Sequence, residues 1–81
     1  MATKHVTDVM VVRAYWFISE LRKEQPGTVV MPYDLLMQAT GECLKVCYRA
    51  MERACNRGLI EFGVSLRTGW LTPQGRALLA G

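Results

Sequence analysis

The sequence predicts a small α+β domain, and three observations carry that reading. Residues 42–56 sort at the α-helical period into an apolar stripe and a polar arc. Immediately after Gly58, the run Leu59-Ile60-Glu61-Phe62 switches to extended chemistry, and Trp70-Leu71-Thr72 supplies a return strand beyond Gly63 and Gly69. Helix-start signals stand at Thr7-Asp8, Pro32 and Thr72-Pro73. The predicted order is helix, strand, helix, helix, strand, strand, helix: a three-helix core, a short strand, a two-stranded hairpin and a short C-terminal helix. The 81 residues, half of them hydrophobic, make one domain without repeats or linkers.

Taken in order, residues 1–6 read as a loose arm. Thr7 caps a first helix over residues 8–24, which Pro26-Gly27 ends. Met10, Ala14, Phe17, Ile18 and Leu21 form the face expected to cover the core, while Val9, Val12 and Trp16 make a second apolar stripe. Thr28 to Met31 is short and β-branched, a small strand expected to pair with the later hairpin. Pro32 opens a second helix through Thr40, with Leu35, Leu36 and Ala39 inward. Gly41 joins it by a very tight turn to the third helix, placed at 42–57.

In that third helix, Leu44, Cys47, Met51, Ala54 and Cys55 share the apolar stripe. Lys45, Arg49, Glu52, Arg53 and Asn56 face the other way, with Val46 and Ala50 on the flank and Tyr48 at the boundary. Gly58 ends it as a left-handed residue. Thr72-Pro73 starts the last helix, with Ala77, Leu78 and Leu79 as its apolar side.

Charge separates the two halves. Residues 1–40 hold four bases and four acids; residues 41–81 hold six bases and three acids, which accounts for the whole net charge of +3. Two closely joined helices, the second of them basic, are a helix-turn-helix signal, and the basic second half suits a nucleic-acid partner. The chemistry of other classes is missing from the pattern. There is no glycine-rich phosphate loop, no paired nucleophile and histidine and no carboxylate cluster, so no enzymatic activity and no cofactor are expected. The three cysteines lack metal-ligand spacing, and His5 is the lone histidine, so no metal is expected and the thiols read as reduced and mostly buried. No apolar run reaches membrane-spanning length and the N-terminus lacks a secretory pattern, which points to the cytoplasm and away from membranes. No small-molecule ligand is legible.

The stretches RACNRGLIEFG at the end of helix 3 and WLTPQGRALL after the hairpin resemble the winged helix-turn-helix superfamily, in particular small bacterial or phage regulators with a MarR-like core. The resemblance covers roughly residues 32–79. It departs at Met37, four before the turn glycine, where such motifs usually hold a small residue. It implies a transcriptional regulator that binds double-stranded DNA sequence-specifically, with helix 42–57 in the major groove and the wing, residues 63–70, on the backbone or minor groove.

On that reading Lys45 and Arg49, in the N-terminal half of the helix, are the base-reading candidates. Arg53 and Arg67 are phosphate contacts, or Arg67 enters the minor groove from the wing tip. Thr68 and Tyr48 add further polar contacts, and Glu52 repels phosphate unless it pairs with Arg49 or Lys45 or accepts from a cytosine amino group. The stripe Val9, Val12 and Trp16 predicts a symmetric homodimer that presents two such helices to paired half-sites. Otherwise Trp16 folds over the N-terminal arm or the last helix. The rival reading is a docking module of the same fold that meets a partner protein or a larger assembly.

Overall fold

A computed structural model describes residues 6–27, 29–63 and 69–80. The chain is α+β: α1 (Asp8–Glu24), α2 (Pro32–Thr40), α3 (Leu44–Asn56), β1 (Ile60–Glu61), β2 (Trp70–Leu71) and α4 (Pro73–Ala80). The strands pair antiparallel, Ile60 opposite Leu71 and Glu61 opposite Trp70. None of the helices among the described residues is long and apolar enough to cross a membrane.

Local chemistry explains most boundaries. The Thr7 hydroxyl accepts the Met10 N–H at 3.2 Å, satisfying one of the donors that a helix start leaves orphaned. Pro32 holds the first position of α2, and Asp34 reaches back to accept the Met31 N–H at 3.0 Å. Gly41, at φ 77°, stops α2 and returns its N–H to Met37. Across the turn, Thr40 Oγ1 donates to the Leu36 carbonyl at 2.7 Å and accepts the Glu42 N–H at 3.2 Å. Cys43 stays extended, so α3 begins at Leu44, two residues later than the periodicity suggested. At the other end, Gly58 (φ 76°) donates to Cys55 and Leu59 to Ala54, the paired bonds of a Schellman stop.

The core lies where α1, α2 and α3 meet over the hairpin. Val11, Val12, Tyr15, Leu36, Cys47, Ala50, Met51, Ala54 and Ile60 are all essentially shielded from solvent. The second layer of the fold is fastened by Thr72. Its hydroxyl donates to the Gly58 carbonyl at 2.6 Å and accepts the Gly75 N–H at 3.1 Å, so one buried side chain ends the hairpin and caps α4.

Several expectations change. Residues 29–31 form no strand, and among the described residues β1 pairs with β2 alone. Met31 is extended, as a residue before proline must be, but Asp34 has already taken its N–H, and Val29 is 80% exposed. Thr28 lies outside the described residues. Val6, assigned to the loose arm, is fully buried. In α1 the inner face is Val11, Val12, Ala14, Tyr15 and Ile18, whereas Met10 and Phe17 are exposed. Val12 is therefore a core residue with no surface to give to a dimer, and the expected stripe of Val9, Val12 and Trp16 is broken. Val9 and Trp16 remain exposed at 38% and 46%. In α3, Ala50 belongs to the core and Leu44 is exposed.

The thiols separate by position. Cys47 is buried and Cys55 partly so, whereas Cys43 is exposed at the start of α3. Burial pushes the Cys47 thiol upward in pKa, which suppresses its reactive thiolate. Native protein treated with an alkylating reagent should lose Cys43 first and Cys47 only as the domain opens. Peptide mapping by mass spectrometry that shows equal rates at the two would refute this assignment.

Candidate nucleic-acid interface

The two closely joined helices set the geometry. The αL turn at Gly41 reverses the chain, and α3 then packs its buried side (Cys47, Ala50, Met51, Ala54) against α1 and α2. Its opposite arc carries Lys45, Arg49, Glu52 and Asn56, all exposed. Positions three and four apart share a helix face, so Lys45, Arg49 and Glu52 are surface neighbours, with Asn56 one turn on. Tyr48 is half-buried and packs against the core, so it borders the arc without standing in it.

Arg53 does not join this surface. Its Nε donates to Asp8 Oδ1 at 2.9 Å and its guanidinium also bonds the Val6 carbonyl, with the side chain only 23% exposed. Arg57 reaches the second oxygen of the same carboxylate. One acid at the start of α1 thus holds two bases one turn apart at the end of α3. Burial works against ionisation of Asp8, but the hydrogen bonds and charges of Arg57 and Arg53 outweigh it and hold the carboxyl below its usual range. The consequence is mechanical. The C-terminal end of α3 is fastened to α1 and to the buried Val6 segment, and its N-terminal half projects with Lys45 and Arg49.

The start of α3 has its own character. No acidic residue lies in its first turn and no side chain caps it. Glu42 stands just before that turn, so the positive end of the helix dipole has an acid close by. Arg67 and Thr68, the expected wing contacts, lie outside the described residues. Of the expected contacts that are described, Lys45 and Arg49 come together on one surface, Tyr48 borders it and Arg53 is turned to another task.

The Asp8–Arg53–Arg57 cluster escaped the sequence reading. Its one available signal was Arg53 and Arg57 at i, i+4 in a chain whose first helix opens with an acid. No family model matches this chain, and no curated protein or solved structure matches it either.

Proposed function

We propose that this protein is a winged helix-turn-helix DNA-binding domain, with α3 in the major groove and the β1–β2 hairpin beside the backbone or minor groove. The observation that carries the reading is the exposed pair Lys45 and Arg49 in the N-terminal half of the second of two tightly joined helices. That half enters deepest when such a helix docks. Asp8 supports the same reading by holding α3 in place before any DNA arrives, so little ordering is spent on binding. Glu52, exposed beside both bases, repels phosphate and accepts from a cytosine amino group, so it serves selectivity more than affinity. A regulator that acts on duplex DNA fits this arrangement.

Arg49→Ala should weaken binding to a preferred duplex by roughly 1–3 kcal/mol if Arg49 meets a base edge, and flatten discrimination at that position. Lys45→Ala, if Lys45 meets phosphate, should weaken all duplexes alike. The fold should survive both changes because each side chain is exposed. Fluorescence anisotropy on a site selected from random duplexes checks this pair. Wild-type affinity in both variants would remove α3 from the interface.

A further inference from the structure

A second surface lies away from α3. Between α1 and α4, with β2 beside them, runs an open groove of about 640 Å³. None of its lining residues belongs to α2 or α3. Leu71 and Leu79 give it apolar walls, and Trp16 and Trp70 line it while remaining 46% and 49% exposed. These are the only two tryptophans of the chain. The Trp70 indole N–H is held by Glu61 Oε1 at 3.3 Å, which fixes that ring. Exposed, positioned tryptophans are the side chains that most often anchor a protein interface.

Charge decides what the groove suits. Arg13, Lys23 and Arg76 line it against Glu20 alone, three bases to one acid, and Glu20 is already paired with Lys23 at 3.2 Å. Among the described residues neither Arg13 nor Arg76 has an ion-pair partner. A second copy of this chain seated symmetrically would bring the same unpaired arginines towards one another, which disfavours it. An acidic partner neutralises them.

We infer that the α1–α4 groove binds a peptide segment of a partner protein, with a large apolar anchor between Trp16 and Trp70 flanked by acidic side chains that meet Arg13 and Arg76. The groove and the α3 arc share no residue, and the groove meets the DNA reading only at the hairpin, through Trp70 and Leu71. A protein with both surfaces would link duplex DNA to an acidic partner.

The test uses a phage-displayed library of random dodecapeptides selected on the full chain, followed by titration of synthetic selected peptides. The selected pool should be enriched in Asp and Glu around a Trp, Phe or Leu. Binding should blue-shift tryptophan emission and reduce its quenching by acrylamide, since both fluorophores line the groove. The double variant Arg13→Glu/Arg76→Glu should bind these peptides at least about tenfold more weakly. Peptides with lysine in place of their acids should recover binding to it, and Arg13→Gln/Arg76→Gln should be intermediate. Lys45→Ala should bind the peptides normally, which separates this groove from the DNA surface. A pool without acidic enrichment, unchanged affinity in both arginine variants, or unmoved tryptophan emission would overturn the proposal. So would a wild-type dimer whose tryptophans are already shielded before peptide is added, because a second copy would then be the occupant.

Discussion

Gly75→Ala should destabilise the domain severely, by about 3 kcal/mol, at the upper end of the usual range for overpacking. A Cβ at Gly75 would stand 2.2 Å from the Leu59 carbonyl oxygen and 3.4 Å from the Leu71 side chain. The first of these is backbone, fastened by the Thr72 N–H at 3.1 Å, so it cannot swing aside as a side chain would. The start of α4 must then lift from the hairpin, breaking the Gly75 N–H bond to the Thr72 hydroxyl and exposing Leu71. In a domain of this size such a loss is a large share of the total. Urea unfolding followed by circular dichroism measures it. An unchanged midpoint would mean that α4 does not pack on Leu59.

Asp8→Asn should be the largest electrostatic loss, about 1–2 kcal/mol at neutral pH. Most of it comes from Arg53, which is left with a neutral partner at 23% side-chain exposure; Arg57 is 60% exposed and contributes little through solvent screening. The pH dependence has a definite sign. The folded carboxyl is held below its ordinary value of 3.8, so the folded state binds the proton less readily than the unfolded chain. Its contribution is complete above that ordinary value and disappears as pH falls through the lowered folded value. Wild type should therefore lose an increment of stability across that acid window which Asp8→Asn does not lose. Parallel acid limbs in the two proteins would show that the carboxylate has no preferred partner in the fold. The same variant bears on function, since freeing the end of α3 should weaken DNA binding without removing any contact.

Helix positions were legible because their ends are chemically marked. Thr7, Pro32, Gly41, Gly58 and the Thr72-Pro73 pair each satisfy or terminate a backbone hydrogen-bond pattern locally, so no distant residue is needed to read them. The rotation of α1 was not legible. Val9 to Ile18 is apolar almost all round, interrupted by Arg13, so the helical period gives no unique phase. The phase is decided by what α1 meets: Val6 folds under it, and α3 presents Cys47 and Met51.

The same limit applies to the candidate interface. Periodicity places Lys45, Arg49 and Arg53 in one polar arc, and Lys45 and Arg49 do stand exposed. It cannot report an acid 45 residues earlier in the chain that draws Arg53 away. Residues 29–31 failed for a related reason. Their composition favours a strand, but the N–H of Met31 serves the start of α2. Trp16 had two readings, a dimer contact or a cover for the N-terminal arm or the last helix. It lines a groove with Leu79 and Ala80 of α4, while Val12, its expected companion, is in the core.

The proposed docking of α3 on duplex DNA is tested by the salt dependence of binding to random-sequence duplex. On random-sequence duplex, where Arg49 has no preferred base edge and lies on the backbone beside Lys45, the two predict a linear fall of log affinity with log salt at least as steep as about −1.8. Replacing both with alanine should bring the slope down by about that amount. A wild-type protein whose binding is absent, or indifferent to salt, would contradict that docking.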